Sequence, residues 1–128
     1  MLQDDYILRQ IREMVRAVMK MLFQVEAQEL TPEVIENKDQ RKELENLIAL
    51  MEEGNIDEAE NQLYEMTCDG DREKLKTGLL FYYKLNEKTD EFLEENNFSR
   101  EEIMTGIQDL AERYGLTGIA EAFRTEIL

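Results

Sequence analysis

Any chemistry in this chain would come from carboxylates, cations and one thiol, because its 128 residues include thirty Asp and Glu, fifteen Lys and Arg, a single cysteine and no histidine. Without an imidazole there is no Ser-His or Cys-His nucleophile pair, no Glu-x-x-His di-iron set and no histidine-based zinc site. Cys68 sits beside Asp69 and Asp71, and neighbouring anions raise a thiol's pKa instead of activating it. Asp69-Gly70-Asp71-Arg72-Glu73 begins like a calcium loop, but Lys74 stands at its sixth position and Leu80 at its twelfth. Calcium needs glycine and a bidentate glutamate there. No glycine-rich phosphate loop occurs either. The residues point to no catalytic role, no metal site and no cofactor, so the expectation is a protein that is not an enzyme.

What the sequence does contain is a row of cations. Arg9, Arg12, Arg16 and Lys20 follow one another at three, four and four. At about 100° per residue they centre near 160°, opposite an apolar stripe of Ile7, Ile11, Met14, Val18, Met21 and Val25 that Leu8, Val15 and Leu22 widen and that centres near 10°. One helix is thus cationic on one side and oily on the other. Three readings fit: internal pairing with acids of the following two helices, docking of an acidic partner or a second copy of the chain, or lying on a membrane surface. Membrane contact is disfavoured by the absence of tryptophan and by the acidity of the rest of the chain.

That acidity is uneven. Residues 1–30 carry four basic and five acidic groups (−1), residues 31–70 three and twelve (−9), and residues 71–128 eight and thirteen (−5), summing to −15. A surface of that sign repels phosphates, so general nucleic-acid binding is not expected. One cysteine makes no internal disulfide, and the acidic start Met1-Leu2-Gln3-Asp4-Asp5 lacks a basic leader region, so a reducing cytoplasm is expected. No apolar run approaches the roughly 20 residues that span a bilayer.

The elements that must carry these groups read as helices throughout. Composition is globular, with 42% apolar and 35% charged residues, and there is one proline. Helix 1 is expected from about Asp5 to Gln28. Thr31-Pro32-Glu33 restarts a helix, with Leu30 and Ile35 as a hydrophobic staple, and this helix runs to Gly54 across a wholly polar stretch at 37–42 that allows a kink or a break. Helix 3 starts at Asp57 with Glu60 as capping partner and ends near Thr67. Helix 4 opens at Asp71 and reaches about Glu95, and its Leu79-Leu80-Phe81-Tyr82-Tyr83 centre is oily all round, which marks a central helix. Ser99-Arg100-Glu101-Glu102 forms a capping box for helix 5, closed by Gly115, and Thr117 caps a last short helix. The expectation is a single all-α domain, 1–128: a long amphipathic helix (1–30), a hairpin (31–70), then a second hairpin with a short C-terminal helix (71–128).

Two turns echo each other. Leu50-Met51-Glu52-Glu53-Gly54-Asn55-Ile56-Asp57 parallels Phe92-Leu93-Glu94-Glu95-Asn96-Asn97-Phe98-Ser99. The first copy, with Ala59 and Leu63 following, resembles the turn and second helix of a tetratricopeptide-repeat hairpin over residues 44–67. The second has Asn96 for the glycine and lacks the alanine, so the resemblance implies hairpin geometry and not a peptide groove. The paired glutamates lie at helix C-termini, where the dipole disfavours anions. They are either offset by nearby bases or form a partner-binding or cation-attracting edge. Met14, Met19, Met21, Met51, Met66 and Met104 are read as core filler, the alternative being an adaptable surface. The opening Asp5-Tyr6-Ile7-Leu8-Arg9-Gln10-Ile11, with Leu22-Phe23, resembles a family of small bacterial proteins of unknown function and implies no activity. The function expected is a non-enzymatic protein interaction or scaffold domain with Arg9, Arg12, Arg16 and Lys20 as its candidate face. The alternative is a membrane-surface adaptor using helix 1.

Overall fold

A helix that is oily on every side finds water nowhere, so the others must surround it. The computed structural model describes residues 2–26 and 30–116 and arranges its six α-helices in that way. These are α1 (Leu2–Phe23), α2 (Lys38–Glu52), α3 (Ile56–Thr67), α4 (Arg72–Asn86), α5 (Asp90–Glu95) and α6 (Arg100–Arg113). Among the described residues there is no strand. Helix α4 is central: α1, α2, α3 and α6 all pack on it, and Leu79 to Tyr83 are buried. Three of these neighbours run antiparallel to it. Leu8 of α1 meets Asn86 while Leu22 meets Arg72. Glu60 of α3 meets Tyr82, and Gly106 and Leu110 of α6 lie against Tyr82 and Gly78.

Close approach of α4 and α6 depends on paired small residues. A β-carbon on Gly78 would stand 2.7 Å from Leu110 Cδ2, and one on Gly106 would stand 2.5 Å from Tyr82 Cζ. Tyr82 has no room to yield, because it is 4% exposed and edge-on to Phe81 at 5.1 Å.

Several boundaries differ from the sequence reading, each for a local reason. Helix α1 ends at Phe23, not Gln28, because Gln24 takes a left-handed φ of 57° and Arg72 Nη2 donates to the Leu22 carbonyl at 2.7 Å. Thr31-Pro32 starts only a three-residue 3₁₀ turn, Pro32–Val34. Ile35 then turns extended and is 2% exposed. Asn37 opens the real helix, its side chain accepting from the Gln40 N–H at 3.0 Å. Asn55 and not Asp57 precedes α3, and Glu60 makes no capping box there. The expected helix from Asp71 to Glu95 breaks after Asn86 and resumes as α5 under a Thr89 cap. Arg100 causes the break. Its guanidinium, 4% exposed, donates to the Asn86 carbonyl at 2.7 Å and the Lys88 carbonyl at 2.8 Å, and to Asp90 Oδ1 at 3.1 Å.

The echoed turns close alike but one place out of step. Gly54 is left-handed (φ 91°), and the Asn55 N–H donates to Leu50 five residues back at 2.9 Å. In the second turn the left-handed residue is Asn97 (φ 55°), not Asn96, with Phe98 N–H donating to Leu93 at 2.8 Å. Both are Schellman closures. Helix α5 has only six residues, so the second hairpin does not repeat the first. The expected Ser99–Glu102 capping box is present, and its staple residues Phe98 and Ile103 are buried. The short helix expected after Thr117 lies outside the described residues.

Gly106→Ala is expected to lower stability by about 1–2 kcal/mol, the overpacking against Tyr82 exceeding alanine's better helix propensity. Urea unfolding checks this: the midpoint should fall with an unchanged m-value.

Candidate interaction face

Helix α1 presents two unlike sides, and its packing decides which one is available. Ile11, Met14, Val15, Val18 and Met19 face α4 and α6 and are 0–6% exposed. Burial of such a row contributes roughly 1.5–3 kcal/mol per large side chain. The helix is clamped at both ends. Asn86 Nδ2 donates to the Leu8 carbonyl at 2.9 Å. Near the other end, Phe23 lies under the Arg72 and Lys76 cations at 5.5 and 4.9 Å.

The four cations singled out by their spacing stand on the other side. Arg9 and Lys20 are exposed, while Arg12 and Arg16 are half-buried. Lys20 Nζ pairs with Glu26 Oε1 at 3.3 Å, both side chains about two-thirds exposed, a geometry that contributes little. Among the described residues Arg9, Arg12 and Arg16 have no ion pair or side-chain hydrogen bond. Internal pairing with the acids of α2 and α3 is therefore not realised for these three, since α1 packs chiefly on α4 and α6. Glu13, Arg16, Ala17, Lys20, Val25 and Glu26 line an open groove of about 360 Å³. Met21, on the same helix, is 60% exposed. The methionines thus divide: Met14, Met19 and Met51 fill the core, and Met21 joins the surface.

A second groove was not foreseen from the sequence. Pro32, Ile48 and Met51 line its floor, and Glu45, Glu52, Lys84, Glu87 and Lys88 its rim, enclosing about 600 Å³ between α2 and the end of α4. Lys88 pairs with Glu52 at 3.2 Å and Lys84 with Glu87 at 3.3 Å. For Glu52, then, a base offsets the unfavourable helix-end position. Glu53, Glu94 and Glu95 are exposed without ion pairs among the described residues. Only the short alternation Glu45…Ile48…Glu52 hinted at this groove, and that pattern alone does not reveal a neighbour.

The other acidic candidates serve the backbone. Asp71 caps α4 by accepting from the Glu73 N–H at 3.0 Å, and Asp69 Oδ1 accepts from the Asp71 N–H at 3.0 Å. Cys68 is exposed with a free thiol. Glu60 accepts a hydrogen bond from the Tyr82 hydroxyl at 2.7 Å. Burial raises the Glu60 pKa above its usual value, the Tyr82 bond opposes this, and Asp57, Glu102 and Asp109 add to the rise. Burial and Glu60 together push the Tyr82 pKa upward. Neither residue lines the two grooves; the pair stitches α3 to α4. Among the described residues no helix is long and apolar enough to cross a membrane.

Comparison with known families settles the chain's membership. It belongs to a family of unknown function, DUF6483. The family model matches residues 1–115, from the start of α1 to the left-handed Gly115 that follows α6. The DUF6483 unit is therefore the helical bundle itself, cationic helix included. No curated protein and no solved structure matches the chain.

The Glu60 environment sets a pH dependence. A carboxyl whose folded pKa exceeds its unfolded value keeps its proton longer in the folded chain, so its ionisation costs stability as pH rises from about 4.5 upward. Glu60→Gln keeps an acceptor for Tyr82 and removes the charge. Thermal melts should show the variant higher by roughly 2 °C at pH 7, with the difference vanishing below the ordinary carboxylate range.

Proposed function

We propose that this chain is a non-enzymatic interaction domain of the cytoplasm that docks an acidic protein surface on the outer side of α1. One observation carries the reading. Arg9, Arg12 and Arg16 stand without ion partners among the described residues, on a helix whose opposite side is locked into the core, in a chain of net charge −15. Desolvating three guanidiniums against carboxylates supplies charge-assisted, bidentate bonds that lysine would make less well. The free, exposed Cys68 thiol fits a reducing compartment.

The membrane-surface alternative needs an oily helix side to lay on lipid. On α1 that side is spent in the bundle, with Ile11, Val15 and Met19 at 0% exposure. The domain therefore meets its partner as a rigid, preorganised helix surface, which lowers the entropy lost on binding.

Charge reversal tests this. Arg9→Glu, Arg12→Glu and Arg16→Glu together should leave the circular dichroism spectrum unchanged and weaken capture of native partners by roughly tenfold or more at low salt. Anionic vesicles should sediment neither protein. Equal capture by wild type and variant would overturn the reading, as would vesicle binding by the wild type that the reversal abolishes.

A further inference from the structure

We infer that the occupant of the cationic α1 face is a second copy of this chain, which receives α1 in its α2–α4 groove. The inference rests on the interaction reading above and adds the partner's identity. Register supports it. Arg9 and Arg16 are seven residues apart on α1, and Glu45 and Glu52 are seven residues apart on α2. Seven residues make two turns, about 10.5 Å, in either helix. Two guanidiniums on one copy therefore match two carboxylates on the other without bending either element.

The remaining groups agree in sign and kind. Glu13, which lines the α1 groove with Arg16, has Lys84 and Lys88 as its counterparts, and the partly exposed Lys88–Glu52 and Lys84–Glu87 pairs of the receiving copy exchange partners on docking, at little cost for ion pairs so open to water. The receiving groove, at about 600 Å³, is roomy and open, and an apolar-floored groove with charged rims is how helix-in-groove recognition is built. No residue of α1 lines that groove, so the chain leaves it open to its own first helix and one copy offers both halves of the contact. Strip and groove are different patches, which makes the contact heterologous. Net charge of −15 opposes association, yet at about 0.15 M salt repulsion beyond roughly 8 Å is screened while the short-range pairs persist.

Sedimentation velocity over a concentration series at that salt tests the assignment. Wild type should sediment progressively faster with concentration, and high salt should return it to monomer. Arg9→Glu with Arg16→Glu should stay monomeric, and so should Glu45→Lys with Glu52→Lys. Mixed together, these two variants present complementary strips and grooves again, and the faster species should reappear. A wild type that remains monomeric throughout, or a mixture that stays at the monomer value, would overturn the second-copy assignment. If such a monomer still captures acidic partners through α1, the interaction reading stands and only this inference fails. If it captures none, both fail.

Discussion

Arg100 is the constraint on which the arrangement depends. A guanidinium buried to 4% exposure is tolerable only when its donors are occupied, and here the chain ends of two helices occupy them. Its bonds to the Asn86 and Lys88 carbonyls terminate α4, and its bond to Asp90 anchors the start of α5. Positive charge at the end of α4 also meets the negative end of that helix dipole. Asn86 carries the linkage onward, accepting from Arg100 at 3.1 Å with its side-chain oxygen and donating to Leu8 with its nitrogen. One cation near the start of α6 thus holds α4, α5 and α1 in register. The functional consequence is that α1 cannot turn its oily side outward without breaking this chain of bonds.

Much of the bundle was legible because its signals were local. The Ser99–Glu102 box, the Asp71 cap and the all-round apolar run at Leu79–Tyr83 each depend on residues a few places apart, and each appears in the structure. The break between Asn86 and Thr89 was invisible for the opposite reason. No glycine or proline marks it, and its cause, Arg100, acts across fourteen residues. Thr31-Pro32 misled because good capping chemistry was overridden by the demand to bury Ile35. Gln24 misled because nothing in a glutamine announces a left-handed backbone.

The candidate face shows the same division. Spacing alone placed Arg9, Arg12, Arg16 and Lys20 on one side of α1, and all four stand away from its buried row. Whether that side faced acids of its own chain was a tertiary question, and only the packing of α1 on α4 and α6 answered it. The groove between α2 and α4 joins residues some forty positions apart, beyond any periodicity in either helix. Acidity likewise has several local uses. Glu52 is neutralised by Lys88, Asp71 caps a helix, and Glu60 is held by Tyr82 at an energetic cost set by burial.

The central claim is that α1 is a permanent wall of the core, offering only its cationic side. Native-state hydrogen exchange of the Ile11–Met19 amides measures this most directly. If the claim holds, these amides exchange only through global unfolding, with the same protection and denaturant dependence as the amides of Leu79–Tyr83. Exchange through a separate, lower-energy opening of α1 alone would contradict it, because the helix would then release its apolar side while the bundle stayed folded.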